Sequence, residues 1–273
     1  SSGSVVNASL ITGLNLPNGI AAWDGYVYVA NQSGNSVGKY TSSGQAVDTS
    51  FITGLTSPTQ LAVADGSLLV MNQLLNGHIG KYNLSTGAAV NTSFITLQDS
   101  APCSMAVSGT NLFVAAASWK HGAYDNGFVV NYSTIDGGYL GDVIPTLPIR
   151  NGGSYFFFGL AATDQSLYVG NGLSNYVSEY SSTGTLVNEK LIDNIYSPFN
   201  IMASGSTLYI QQAYSSIGQY TTSGQTVNAS LISGVGNIQN FTVVPVPEPS
   251  TCVMALAGLG FTGYSMFRRR KRA

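Results

Sequence analysis

The chain has 273 residues, which is enough for one large all-β domain, and its 44% apolar share supplies a sizeable core. Charged residues make up only 8%, about a third of the usual share, and no long charged stretch favours amphipathic helices. Five of the ten basic residues crowd the C-terminus, so the remainder is acidic, which argues against a nucleic-acid-binding protein.

Three phrases recur along residues 1–245, and each predicts a strand. The first, Asn-Ala-Ser-Leu-Ile-Thr-Gly-Leu at residues 7–14, returns at 48–55, 91–96, 188–192 and 228–235, with a degenerate copy near 143–149. The second ends in a tyrosine followed by a Gly-containing turn, and its copies end at Tyr40, Tyr82, Tyr132, Tyr180 and Tyr220. The third alternates apolar residues at period two, as in residues 26–29, mostly after a two-residue turn such as Asp24-Gly25. Four short strands per 40 to 50 residues predict a β-propeller blade.

The propeller pattern extends over most of the chain. The phrases across residues 19–40 resemble the NHL-type propeller repeat, and the resemblance covers residues 1–245. This resemblance implies a fold and no particular activity. A β-solenoid is disfavoured by the long repeat unit, and a β-sandwich is disfavoured by the repetition itself.

The two ends of the repeat region each hold part of a further blade. The complete four-strand set occurs five times, while residues 241–244 form a lone first strand and residues 5–14 a lone last strand. We therefore expect an all-β, six-bladed propeller with five complete blades and a sixth that is split between the chain ends and incomplete in this chain. Pairing the ends would remove open sheet edges. The missing middle strands predict that the native chain continues about 20 residues upstream, behind a signal peptide.

The chain contains no recognisable catalytic motif. His78 and His121 lie in different repeats without metal-type partners, and Cys103 and Cys252 offer neither a disulfide framework nor metal spacing. No Gly-x-Ser-x-Gly elbow, P-loop or His-Glu-x-x-His occurs. We therefore predict no catalytic residue, no metal-ligand set and no required cofactor.

One polar position recurs where the second strand of a repeat ends. An amide side chain occupies it in four repeats, at Asn31, Asn72, Asn171 and Gln211. Such positions lie near one mouth of a propeller channel, where amide oxygens are suited to a divalent cation or a sugar. Lactonase-like six-bladed propellers, to which this arrangement is similar, bind a divalent metal there through Asn, Asp and Glu, but Ala115 and the lack of a matching Glu depart from that pattern. The alternative role of these amides is to satisfy backbone groups at blade edges.

The third repeat contains the longest irregular stretches, residues 118–127 and 150–158. Their aromatic side chains include Trp119, Tyr124 and Tyr155, which we take as candidates for stacking against a sugar or a protein partner. Aromatic residues in such loops also serve as a cap over a propeller core, so both roles stay open.

The C-terminal tail divides into three parts. Residues 246–251 form a linker that its prolines hold extended: Val246, Pro247, Glu248, Pro249, Ser250 and Thr251. Residues 252–267 carry no charge and are predicted to form a transmembrane helix, and the uncharged stretch from residue 250 spans about 27 Å as a helix. Residues 268–273 follow with a basic cluster: Arg268, Arg269, Arg270, Lys271 and Arg272. By the positive-inside rule this cluster stays in the cytoplasm, so residues 1–245 lie outside.

The order of Pro-Glu-Pro, short apolar helix and terminal Arg cluster resembles the PEP-CTERM sorting signal of Gram-negative bacteria. The resemblance implies cleavage near Pro247-Glu248-Pro249 by an exosortase, an integral-membrane protease, and a link to extracellular polysaccharide. An ordinary C-terminal membrane anchor is the alternative.

These patterns together favour an exported binding platform. We expect an inner-membrane-anchored precursor that is then found at the cell surface or outside the cell, with extracellular polysaccharide or an envelope protein as partner and no nucleic acid. The alternatives are a lactonase-like or lyase-like metal-dependent hydrolase using the channel mouth, with a divalent cation as cofactor, and a polysaccharide-binding module.

Overall fold

In the computed structural model, residues 4–72, 77–120, 123–147, 158–171, 175–213, 215–234 and 238–243 are described. Within these ranges, twenty strands form five separate four-stranded antiparallel sheets, each built from four consecutive strands. Blade 1 is β1 (Pro17–Trp23), β2 (Tyr26–Asn31), β3 (Ser36–Thr41) and β4 (Ala46–Ile52). Blade 2 is β5 (Pro58–Ala64), β6 (Ser67–Asn72), β7 (His78–Asn83) and β8 (Ala89–Thr96). Blade 3 is β9 (Ser100–Ser108), β10 (Asn111–Lys120), β11 (Ala123–Ser133) and β12 (Tyr139–Leu147). Blade 4 is β13 (Phe158–Ala162), β14 (Ser166–Asn171), β15 (Tyr176–Ser181) and β16 (Leu186–Ile192). Blade 5 is β17 (Pro198–Ser204), β18 (Thr207–Gln212), β19 (Ser216–Thr221) and β20 (Thr226–Ile232).

The predicted all-β propeller is confirmed, but it has five blades and not six. The two segments expected to make the sixth blade, residues 5–14 and 241–243 as far as described, contain no strand. The physical reason is that an end strand of a blade needs the neighbouring middle strand for its hydrogen bonds. The chain supplies no middle strands for these two segments, so their backbones have no ladder to join.

The turn that joins the first two strands of a blade follows from its sequence. In blades 1 and 2 this turn is Asp-Gly, and both residues have positive φ: 47° at Asp24, 77° at Gly25, 48° at Asp65 and 67° at Gly66. Two successive left-handed residues make the type I′ turn, whose twist matches that of a β-hairpin. The short Asp-Gly signal therefore fixes the register of the two innermost strands.

The repeated Gly-x-Tyr phrase has a packing role in the third strand. A side chain at Gly38, Gly80 or Gly218 would collide with the ring of the tyrosine two residues later. Residues i and i+2 share one face of a strand, so the ring lies across the bare glycine backbone. Burial raises the pKa of Tyr40 and of the equivalent Tyr82 above the usual tyrosine value.

The hydrophobic core lies between neighbouring blades. Four clusters fill the interfaces of blades 1 and 2, 2 and 3, 3 and 4, and 4 and 5. At each interface the glycine of the outer turn lies so close to a backbone carbonyl of the preceding outer strand that no Cβ fits. These glycine–carbonyl pairs are Gly87–Phe51, Gly137–Phe94, Gly184–Val143 and Gly224–Leu191.

The N-terminal segment packs on the free face of blade 1. Gly44 meets the carbonyl of Leu10 in the same way that the other turn glycines meet an outer strand. Ile11 and Leu14 complete a small cluster with residues of blade 1. On each later blade, the outer turn packs against the outer strand of the preceding blade. Residues 10–14 take the place of that strand on blade 1, although they do not form a strand themselves.

The predicted transmembrane helix at 252–267, the linker at 246–251 and the basic cluster at 268–273 lie outside the described residues. Among the residues that the structure does describe, no helix is long and apolar enough to cross a membrane.

Candidate functional site

The five innermost strands surround a central channel. β1, β5, β9, β13 and β17 line a cavity of about 420 Å³ together with residues 240–243. In blade 1, Ala21 of the innermost strand pairs with Tyr28 of β2. The equivalent residues of the other innermost strands are Ala62, Ala106, Ala161 and Met202. Four of these five residues are alanines, and small side chains suit a position where five backbones converge.

One end of the channel is polar, and its amides are bonded to the protein. Gln60 Oε1 accepts a hydrogen bond from Met105 N at 2.6 Å, and Gln60 Nε2 donates to Ser104 Oγ at 3.4 Å. Asn200 Nδ2 donates to Gln211 Oε1 at 2.8 Å and to the carbonyl of Gln239 at 3.0 Å. These side chains join adjacent blades and fix the segment after blade 5.

The channel carries no charged side chain among its described lining residues, and no histidine or cysteine. General acid–base chemistry needs a titratable group within hydrogen-bond reach of the substrate. In the described part of the chain, no group of three or more His, Cys, Asp or Glu side chains is placed to hold a metal ion. The described channel wall therefore offers amide and hydroxyl groups for binding.

The predicted amide ring at the ends of the second strands has a definite local role. Asn31 Oδ1 accepts from Asn15 N, and Asn72 Oδ1 accepts from Thr56 N, each at 3.1 Å. Both donors lie just before the innermost strand of a blade, so each amide secures the loop that leads into that strand. Asn72 is almost fully buried, and its Nδ2 also lies 3.2 Å from His78 Nε2.

Gln211 is the third of these amides, and it secures the C-terminal segment. Its Nε2 donates to the carbonyls of Ala213, at 3.0 Å, and Ile238, at 2.7 Å. Asn171 ends β14, but its side chain lies outside the described residues. The described amides thus satisfy backbone groups, and their binding of a cation or sugar stays a prediction.

Two of the aromatic candidates, Trp119 and Tyr124, lie on strands of blade 3 that are longer than expected. Residues 118–120 and 123–127 were predicted as an irregular loop, but they extend β10 and β11, which have 10 and 11 residues. Trp119 is the register partner of Tyr124 in this hairpin. Their side chains, and Tyr155 with His121, lie outside the described residues, so their role in binding stays a prediction.

The partly buried Cys103 lies on β9 near the channel. Its Sγ donates to the carbonyl of Ala101 at 3.4 Å, and desolvation raises the pKa of the thiol to about 12. A thiol that stays protonated at neutral pH is a poor nucleophile. Cys103 is therefore suited to packing and not to nucleophilic chemistry.

Two buried lysines escaped the sequence reasoning. Lys39 and Lys81 lie on the third strands of blades 1 and 2, and each is less than a tenth exposed. Lys81 Nζ donates to the carbonyls of Thr134 and Ile135 in blade 3, at 2.7 and 3.1 Å. In the sequence, each lysine stands between the glycine and the tyrosine of a Gly-x-Tyr phrase. It therefore lies on the face of the strand opposite to the tyrosine, and both faces of this strand are covered.

Comparison with known proteins gives a motif for the tail and a fold for the body. Residues 245–271 match the model of the PEP-CTERM protein-sorting motif. No curated protein matches the chain in sequence. The chain is similar in fold to a gluconolactonase from Xanthomonas campestris (TM-score 0.62, 14% identity, 84% of this chain and 79% of the other).

Other solved propellers are similar to the same extent. One is a streptogramin B lyase (TM-score 0.56, 19% identity, 82% of this chain and 72% of the other). Another belongs to a nidogen–laminin complex (TM-score 0.58, 15% identity, 79% and 80%). The chain spans 65% to 80% of the length of seven solved chains that it matches. At these identities the likeness concerns the fold alone.

The body is thus a five-bladed propeller that resembles NHL and lactonase-like propellers, and the tail carries a PEP-CTERM motif. This motif indicates export through a membrane-anchored precursor and implies processing by an exosortase.

Proposed function

We propose that this chain is an exported binding platform, freed from the membrane by cleavage within its tail and active at the cell surface or in the extracellular matrix. The match of residues 245–271 to the sorting motif carries the proposal. Residues 252–267 would hold the precursor in the inner membrane as a helix, with the basic residues 268–273 in the cytoplasm.

The chemistry of the tail suits a temporary hold. Pro245, Pro247 and Pro249 deny the helix to the segment before the span, so a protease meets an extended backbone. Several glycines dilute the apolar residues between 252 and 267, which weakens the span. A short, weak span preceded by an extended box favours release over permanent anchoring.

The body supports binding rather than turnover. The polar groups of the described channel wall are uncharged, and the amides at its polar end are already bonded, Gln60 to blade 3 and Asn200 to Gln211 of its own blade. A propeller whose described channel wall is uncharged is suited to present loops to a polysaccharide or to an envelope protein.

Mass spectrometry of the mature C-terminus tests the export step. The full chain is expressed in a Gram-negative host with an exosortase and in the same strain without it. We expect a mature C-terminus near Pro249, without Arg268–Arg272, only when the exosortase is present. Replacing Pro247, Glu248 and Pro249 together by alanine should leave the precursor in the membrane fraction, whereas Pro245→Ala should not. A mature protein that keeps Arg268–Arg272 in the exosortase strain would overturn the proposal.

Two other functions are separable by direct assay. A metal-dependent lactonase-like or lyase-like hydrolase would show lactone hydrolysis or ring opening that depends on an added divalent cation and falls in Asn72→Ala. A polysaccharide-binding module would show a glycan-array profile that changes in Trp119→Ala. Neither result is expected to affect the processing of the tail.

A further inference from the structure

One position of the third strand recurs in every blade, and in blades 2, 3 and 4 it faces the next blade. It is the register partner of a large side chain on the second strand, for example Tyr28 opposite the position in blade 1. From blade 1 to blade 5 its occupants are Lys39, Lys81, Asn131, Glu179 and Gln219. The repeat therefore allows the same place in the fold to be compared with different side chains.

At the interface of blades 2 and 3 this position supplies a buried ammonium group. Lys81 Nζ donates to the carbonyls of Thr134 and Ile135 in the outer turn of blade 3 and lies 4.9 Å from the ring centroid of Phe94. Two carbonyl oxygens and a ring face are a favourable setting for a desolvated cation. Asp65 adds a carboxylate, which accepts from the hydroxyl of Thr134 at 2.5 Å.

The interface of blades 1 and 2 fills the same place in another way. The turn residue of blade 2 that corresponds to Thr134 of blade 3 is Leu84. Each of the two donates its backbone N–H to a carbonyl in the first turn of its own blade. The hydroxyl of Tyr28 donates to the carbonyl of Leu84 at 3.0 Å. Lys39 Nζ lies against aromatic rings, 5.5 Å from the ring centroid of Tyr28, 4.3 Å from that of Tyr26 and 5.0 Å from that of Phe51.

The interface of blades 3 and 4 lacks both donors. Phe113 stands where blade 1 has Tyr28, and Asn131 stands where blade 2 has Lys81. The equivalent turn residues are Ser182 and Thr183, because the N–H of Ser182 donates to the first turn of blade 4. Within the described ranges, no side chain donates to the carbonyls of these two residues. A groove of about 440 Å³ lies there instead.

The groove is rich in acceptors. Asn131 Nδ2 donates to Asn111 Oδ1 at 2.8 Å, while Asn131 Oδ1 is buried and accepts no hydrogen bond. Asp164 contributes a carboxylate, of which one oxygen accepts from Ser108 Oγ at 2.9 Å. Asp164 is the one charged side chain among the described lining residues, so the net charge that these side chains contribute is negative. The groove therefore has a shortage of donors and of positive charge.

We propose that the groove between blades 3 and 4 binds a primary ammonium group of a small molecule, in the place that Lys81 fills one interface earlier. The ammonium group would lie beside the side chain of Asn131 and donate to Asp164 and to the turn carbonyls of Ser182 and Thr183. A primary amine fits better than a metal ion, because Asp164 is the one carboxylate among the described lining residues. The internal precedent at Lys81 is likewise an ammonium ion.

Thermal unfolding of the full chain with propylammonium chloride tests the proposal. Tetramethylammonium chloride, which has no N–H donor, controls for charge, and sodium chloride controls for ionic strength. We expect a saturable rise in Tm with propylammonium of about 3 °C at ten times the dissociation constant, and no such rise with the controls. Calcium chloride serves as the metal arm. A rise with calcium that propylammonium does not produce would overturn the proposal.

Two matched variants separate the groove from other binding. Asn131→Lys supplies the ammonium group internally, so it should abolish the propylammonium effect, whereas Gln219→Lys adds the same charge in blade 5 and should keep it. Lys81→Ala opens the equivalent groove and should unfold at a lower temperature that propylammonium partly restores. The site would be refuted if propylammonium still raised the Tm of Asn131→Lys. It would also be refuted if tetramethylammonium raised the Tm of the native chain as much as propylammonium does. Neither outcome depends on whether Lys81→Ala folds.

Discussion

The contact between an outer-turn glycine and the preceding blade leads to a quantitative prediction for blade 2. Gly87 has a φ of 72°, and a Cβ on it would collide with the carbonyl oxygen of Phe51. Gly66, in the first turn of the same blade, has a φ of 67°, yet a Cβ on it would have nothing within 4 Å. The two glycines therefore share a backbone conformation and differ in their surroundings.

The expected effects follow from these two environments. Alanine at Gly66 has only the left-handed backbone to accommodate, which destabilises by about 1 kcal/mol after the smaller entropy of the unfolded chain is considered. Alanine at Gly87 also forces blade 2 away from blade 1, and overpacking of this kind adds about 1–3 kcal/mol. For a chain of this size we expect Tm to fall by about 2–4 °C for Gly66→Ala and by about 4–16 °C for Gly87→Ala.

Urea denaturation and thermal unfolding of both variants, followed by circular dichroism and tyrosine fluorescence, measure the difference. Circular dichroism before unfolding verifies that each variant keeps its sheet content. If Gly87→Ala is no less stable than Gly66→Ala, the close glycine–carbonyl approach does not determine how blades pack, and the structural account of the repeated Ser/Thr-Gly turn is wrong.

Three further predictions concern single residues. Gly44→Ala should lower the Tm about as much as Gly87→Ala does, since its Cβ would collide with the carbonyl of Leu10. When residues 4–14 are removed, chains with and without Gly44→Ala should have the same Tm. Asn72→Ala should lower the free energy of unfolding by about 1–2 kcal/mol in urea, with or without added calcium, because a loop N–H loses its acceptor. In a Cys252→Ser chain, Cys103 should react with a disulfide reagent at pH 8 about a thousand-fold more slowly in the folded protein than in urea. The thiolate is the reactive form, and folding raises the pKa of this thiol from 9.0 to about 12. Comparable rates in the two states would contradict the burial of this thiol.

The blades themselves were predictable because local signals repeat. An Asp-Gly turn such as Asp24-Gly25 determines one hairpin, and the Gly-x-Tyr phrase marks the third strand, so each unit carries its own strand plan. The number of blades was not predictable in this way. Residues 5–14 and 241–244 have the composition of strands, but strand formation depends on a hydrogen-bonding neighbour, which a sequence phrase does not provide.

The candidate sites were predictable only in part. The amides Asn31 and Asn72 stand out in the sequence as a repeated polar position, yet their oxygens accept from loop N–H groups that no sequence pattern identifies. The extended hairpin around Trp119 was mistaken for a loop, because Gly and Asn within residues 118–127 suggest a turn. Turn-forming residues are tolerated inside a strand pair when a bulge absorbs them, and the register of this hairpin shifts between Ala117 and Trp119.

The low charge content of the chain explains why the buried lysines are informative. Both faces of a propeller blade are covered by neighbours, so the two side-chain faces of the inner three strands are both buried. Solvent is left to the outer strands, such as Ala46–Ile52, whose first five residues are exposed. A cation on an inner strand must therefore be neutralised or bonded within an interface. Of the five cations outside the basic tail, Lys39 and Lys81 lie at such interfaces, against rings and against turn carbonyls. It follows that the side chain at this strand position decides what each interface can hold, and that the change from lysine to Asn131 turns an occupied place into an open one.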